Sequence, residues 1–370
     1  MLSDRGPDGQ RKKVYGPPAM RFRVQSLLVV AVGVGLMAYV LRGAQLDRVV
    51  EAVGGARRDL LFLALVVTLL TYVARAIRWR YLLAPVQQVH FGPALRATVM
   101  GFAATSVLPG RVGEIVRPWA LAREERMSVS AALATVVVER LLDLVVILAM
   151  FGIALGLLDP GFATDEAAPL AAARAGALAS AAAAAVILWL VFAAAGHPER
   201  VNRLVERATE RLPQRWRELA RRLSRRFVVG LGVMRRPHLL LISTLWSVAV
   251  WALIAGSIWL VTIAFDIAMP LTGAAVVLLL VAVGVAVPTP AGIGGYHAAY
   301  QFGATVLYGA PAEAAAGAGL IAHAFAFLPV TIGGIALMAR AGLRMRGIGR
   351  ILHDAEQEVV PPAEGESESR

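Results

Sequence analysis

Two groups of charged residues stand inside apolar sequence with the spacing of a site. Arg111, Glu114 and Arg117 fall within "SVLPGRVGEIVRPWALA", beside Pro109, Gly110 and Gly113. Glu139, Arg140 and Asp143 fall within "VVVERLLDLVV", near the middle of an apolar run from Val129 to Leu158. Guanidinium groups match phosphate through paired hydrogen bonds, so Arg111 and Arg117 suit a lipid phosphate. Glu139 and Asp143 are four apart and share one helix face. A charge at the centre of a membrane helix costs on the order of 3 kcal/mol on insertion scales, so that face must meet a polar interior, with Arg111 or Arg117 as partner. The competing readings are bland: interface anchors for the first group, a structural ion cluster for the second.

A second Pro/Gly turn, "PTPAGIGGYHAAY", holds Pro288, Pro290, Gly292 and Gly294 and is followed by His297. His323 lies near the middle of the last apolar run. These histidines are candidates for a proton relay or, more plainly, for buried hydrogen-bonding groups. The six histidines lack metal-ligand spacing, and cysteine is absent, so neither a metal nor a cofactor is expected. The only lysines are Lys12 and Lys13, so there is no phosphate loop of the ATPase type. No nucleophile–His–acid set and no DxD pair is visible. These absences argue for a translocase or transporter over an enzyme.

The elements that must position these residues follow from composition. The chain is 58% hydrophobic over 370 residues, with a mean hydropathy of +0.65, above the 45–50% usual for soluble domains. Its apolar runs are continuous rather than alternating, which excludes a β-barrel and implies an all-α polytopic membrane protein. The net charge of +12 lies in stretches flanking these runs, as the positive-inside rule requires, and not in a nucleic-acid surface. Six full spans are expected: Val24–Leu41, Asp59–Ala76, Val129–Leu158, Pro169–Ala195, Leu239–Phe265 and Ala312–Met338. Shorter apolar stretches occupy Ala94–Leu108, Leu271–Val287 and Ala291–Tyr308.

Charge assigns the sides. His197–Pro237 carries twelve arginines and belongs in the cytoplasm. Asp159–Ala168 has Asp159, Asp165 and Glu166 without a basic residue, so it belongs outside. The basic N-terminal tail (1–23) and the flank holding Arg340, Arg344, Arg346 and Arg350 place both termini inside, at the plasma membrane. The loop Arg42–Arg58 dissents, with four arginines against Asp47 and Glu51. Arg75, near the end of the second span, is expected to snorkel to the interface.

With these sides, nothing between Ile77 and Val129 makes a net crossing. Ala94–Leu108 gives about 22 Å of helix, too short to span. A re-entrant hairpin turning at Pro109–Gly110 resolves the parity. The same problem recurs after Leu239–Phe265, where a hairpin dipping in from outside gives six spans and full crossings give eight. Pro109-Gly-Arg-Val-Gly-Glu114 echoes Pro290-Ala-Gly-Ile-Gly-Gly295. Two inverted halves, each with a Pro/Gly-broken hairpin, is the layout of transporters whose broken helices meet near the midplane. The domain runs over 24–345. Within 197–237, Leu212, Trp216, Leu219, Leu223 and Phe227 form an amphipathic stripe for anionic lipid. Residues 346–370 are polar and are expected to be a disordered tail.

"LPGRVGEIVRPWAL", "VERLLDL" and "PTPAGIGGYHAAY" together resemble the membrane domain of the lysylphosphatidylglycerol synthase family, the flippase-like domain proteins. The resemblance covers about residues 20–345. It departs at the second turn, where Ala291 replaces a glycine and His297 stands where a glutamate is expected. It implies movement of a phospholipid or polyprenyl-linked lipid between leaflets; the alternative is a membrane scaffold or partner subunit of a separately encoded lipid-modifying enzyme or glycosyltransferase. About 30 residues follow the last span, too few for a synthase domain, so the expectation is a stand-alone module that does not aminoacylate lipid.

Overall fold

A computed structural model describes residues 46–108, 112–157, 197–210, 236–286 and 289–341, with scattered positions between 175 and 221. The N-terminal tail, the first span, most of Pro169–Ala195, the stripe from Leu212 to Phe227 and the C-terminal tail lie outside them. So do Pro109, Gly110, Arg111 and Pro288. Every element among the described residues is helical, with no strand. In chain order they are α1 (Leu46–Gly55), α2 (Arg58–Leu83), α3 (Phe91–Val107), α4 (Gly113–Glu125), α5 (Val129–Gly156), α6 (Pro198–Thr209), α7 (Pro237–Ala264), α8 (Leu271–Ala286), α9 (Gly295–Phe302) and α10 (Ala312–Arg340).

Length separates two kinds of helix. Among the described residues α2, α7 and α10 are long and apolar enough to cross a membrane. α5 matches them at 28 residues but carries Glu139, Arg140 and Asp143 at mid-length. In contrast, α3 has 17 residues, α4 has 13, α8 has 16 and α9 has 8. At about 1.5 Å per residue none of these four covers a hydrocarbon core of about 30 Å.

The short helices come in two pairs, α3–α4 and α8–α9, each joined across a break and each packed back on itself through glycine. A Cβ on Gly101 would lie 2.5 Å from the Arg117 Cβ and 3.0 Å from the Gly113 carbonyl. One on Gly113 would collide with the Gly101 carbonyl and the Thr105 hydroxyl. In the second pair Gly284 and Gly295 meet reciprocally, each blocking the place of the other's Cβ with its carbonyl. Such backbone contact lets two half-helices lie antiparallel with no side chain between them. Gly295→Val is expected to lower the unfolding temperature of the detergent-solubilised chain by the cost of an overpacked core, about 1–3 kcal/mol or more. An unchanged transition would remove the glycine contact as a determinant.

Each pair has its own core. The first joins the end of α2 (Trp79, Leu82, Leu83) to α3, α4, the start of α5, the start of α7 and Met338 near the end of α10. The second joins Ala56, Ala64 and the end of α7 to α8, α9 and the start of α10. The pairs therefore pack at opposite ends of the long helices. The segment read as the loop Arg42–Arg58 contains helix α1, because Val49 and Val53 fall on one face. Val49 is buried, and Val53 packs beside Gly317 of α10. The second span also runs past Ala76 to Leu83, which carries Arg78 into the interior.

Candidate functional site: a buried ion cluster beside a central cavity

The middle of α5 is where the charges converge. Glu139 is fully buried and accepts from three arginines on three helices. Arg117 of α4 places Nη1 2.8 and 3.0 Å from its two carboxylate oxygens. Arg78 of α2 places Nη2 2.8 Å from Oε1, and Arg140 places Nη2 2.9 Å from the same oxygen. Asp143, one turn on, also pairs with Arg78. It accepts as well from the Trp251 indole of α7 at 3.0 Å, and Arg140 Nη1 lies 3.4 Å away. Arg78 Nη1 donates to Ser247 Oγ at 3.0 Å. The Arg117 guanidinium lies 3.9 Å over the Trp79 ring, whose indole donates to Thr135 at 3.0 Å.

Three guanidiniums against two carboxylates leave this cluster with one positive charge. In a desolvated interior that geometry holds only because the partners are in hydrogen-bond contact. Some donors remain over: Arg78 Nε, Arg140 Nε and both Nε and Nη2 of Arg117 have no acceptor. The cluster ties α2, α4, α5 and α7 together.

Arg75, one turn before Arg78, corrects the snorkelling expectation. It is buried, because α2 continues beyond it and it faces inward. Its guanidinium lies 4.9 Å over the Phe102 ring, and it makes no ion pair or hydrogen bond with any described residue. It lines a cavity of about 150 Å³ between the two broken pairs, with Phe102 and Ser106 of α3 facing Leu278 and Val281 of α8 and Tyr296 of α9. α2, α7 and α10 complete the wall. Arg75 is the one charged residue in that lining. Most of the hydroxyls around it are already donating: Thr68 to Ala64 O, Thr71 to Thr68 O, Tyr72 to Ala326 O and Ser106 to Phe102 O. The Arg75 guanidinium is thus left facing the cavity without an acceptor among the described residues.

The second turn abuts the same cavity. Ala291, Gly292 and Gly294 have φ of 52°, 68° and 87°, so the chain there runs left-handed, a conformation that costs an alanine roughly 1 kcal/mol or more. His323 pins it: Nε2 lies 2.9 Å from the Ala291 carbonyl and must donate to it. His297 Nδ1 accepts from the Gly294 N–H at 3.4 Å, and the two imidazoles sit 4.5 Å apart. Tyr296, which lines the cavity, lies 5.1 Å from the His323 ring. Ala291→Gly is expected to leave the unfolding temperature equal or higher, since it relieves the left-handed alanine; a drop of several degrees would show that the strain is absent.

Of the residues singled out from sequence, Arg117, Glu139, Arg140 and Asp143 come together, and His297 and His323 form a separate contact at the second turn. Gly113 and Gly294 open helices α4 and α9, Gly292 lies in the second turn with Pro290, and Glu114 is half-buried in the first turn of α4. Arg78, Arg75, Ser247 and Trp251 were missed. Arg75 and Arg78 had a signal, three apart on one face, but "RAIRWRY" reads as a basic flank. Among the described residues no three His, Asp or Glu side chains converge as metal ligands.

Residues 26–334 match the family described as the lysylphosphatidylglycerol synthase TM region. The chain belongs to that family. As a lysylphosphatidylglycerol synthase TM region it is a membrane domain linked to lipid handling, and the match spans both broken pairs, the ion cluster and the cavity wall. None of the curated proteins compared with it matches the chain.

Proposed function

We propose that this chain moves a phospholipid or polyprenyl-linked lipid between leaflets, with the head group passing through the central cavity. The observation that carries the reading is the Arg75 guanidinium, without an ion-pair partner among the described residues, facing a cavity walled by both broken helix pairs. A guanidinium fork matches a phosphate, and irregular backbone at membrane depth is tolerated where it lines a cavity. The inverted arrangement supports it too, since the pairs pack at opposite ends of the long helices. In this reading the pairs re-enter from opposite sides between six full spans, and both termini are cytoplasmic at the plasma membrane. Arg78, Arg117 and Arg140 hold the positive field behind Arg75, and Glu139 and Asp143 keep that field from collapsing the fold. His297 and His323 would relay a proton at the second turn, and no ATP is hydrolysed.

Purified chain in proteoliposomes should accelerate leaflet exchange of a phosphate-bearing lipid over protein-free vesicles. No acceleration for any phosphate lipid, together with a stably co-purifying lipid-modifying enzyme or glycosyltransferase, would replace this reading by that of a partner subunit.

A further inference from the structure

A second basic site lies at the other end of the α3–α10 seam. A cleft of about 680 Å³ opens where α3 begins and where α4 and α10 end. Arg96, Arg123 and Arg340 line it with a single carboxylate, Glu124, which is spent on Arg96. Arg123 lies 5.1 Å over the Trp119 ring, and neither it nor Arg340 meets a carboxylate among the described residues. The floor is apolar, made by Met100, Trp119 and Leu337. Two guanidiniums with no carboxylate partner among the described residues, above an apolar floor, suit a ligand that is anionic at one end and hydrocarbon at the other.

The cleft is separate from the central cavity although both use the same two helices. Phe102 and Ser106 of α3 and Ala326 and Val330 of α10 line the cavity, while Arg96, Met100, Leu337 and Arg340 line the cleft. Between them Gly334 presses on α3: a Cβ there would lie 2.6 Å from the Val99 carbonyl and would collide with Ala103. The seam is closed at that level by backbone contact.

We infer that this cleft is a head-group site for an anionic phospholipid, held by Arg123 and Arg340 with its chains against Trp119, Met100 and Leu337. Basic pockets between membrane helices bind anionic head groups in this way, and arginine supplies the paired donors a phosphate accepts. The site does not depend on leaflet exchange, and binding alone tests it.

The test is native mass spectrometry of the full chain released from phosphatidylcholine nanodiscs titrated with phosphatidylglycerol. One tightly retained phosphatidylglycerol is expected in the wild type and in Arg75→Gln, with about tenfold weaker retention in Arg123→Gln/Arg340→Gln. Arg340→Lys, which keeps the charge but not the fork, should fall between wild type and the double variant and guards against a folding defect. Equal retention by wild type and the double variant overturns the site. Displacement of the lipid by equimolar glycerol phosphate overturns its lipid character and leaves a soluble-phosphate site. Loss of retention in Arg75→Gln instead would assign the bound lipid to the central cavity.

Discussion

Glu139→Ala is expected to be the most destabilising single substitution in the chain. It removes the acceptor shared by Arg78, Arg117 and Arg140 and leaves two buried guanidiniums and the partly exposed Arg140 against Asp143 alone. Removing one partner of a buried ion pair costs about 3–5 kcal/mol, and here one carboxylate serves three cations. The purified chain should lose tens of per cent of its folded yield or unfold at a clearly lower temperature in detergent. Glu139→Gln should fall between, because the amide oxygen still accepts but the charge is gone. Arg140→Gln, with a side chain 38% exposed, should cost far less. If Glu139→Ala unfolds within a degree of wild type, the cluster does not hold the four helices together.

Arg75→Gln is expected to do the opposite: leave the fold intact and remove the activity. Arg75 makes no ion pair with the described residues, so its loss frees no buried carboxylate. The unfolding temperature should stay level or rise, since a buried charge carries a desolvation cost. A charge-assisted hydrogen bond is worth about 1.5–3 kcal/mol, so leaflet exchange of a phosphate lipid should slow by about tenfold to hundredfold. Arg75→Lys keeps the charge but not the fork and should fall between the two. Exchange at the wild-type rate in Arg75→Gln would place the phosphate elsewhere. The pair of variants separates the two roles the charges were open to, since Glu139→Ala tests the frame and Arg75→Gln tests the cavity.

Much of the architecture is legible in the sequence because membrane insertion acts on local properties. Continuous apolar runs mark α2, α5, α7 and α10, with α5 and α7 placed to within a few residues. Helix lengths below about 20 residues mark α3 and α8 as half-helices. That Arg111 or Arg117 would pair with the acidic face was legible for a thermodynamic reason, since a carboxylate at mid-helix has to find a cation nearby; the structure pairs Arg117 with Glu139. α1 was not legible as a helix, because its short apolar face packs on α10, far along the chain. Gly101 and Gly284 gave no local signal, because a glycine inside an apolar run looks the same whether or not another backbone crosses it.

What the sequence by itself determined is a helical membrane chain of this family, with two Pro/Gly breaks and an acidic pair that must be neutralised inside. Those follow from the cost of burying polar groups in hydrocarbon, which each segment meets on its own. Only the tertiary structure decided which arginines do the neutralising. Arg75 and Arg78 sit three residues apart on the same helix in the same basic run. Packing puts Arg78 between two carboxylates and leaves Arg75 facing an open cavity, because pairing depends on what the neighbouring helices bring to each position.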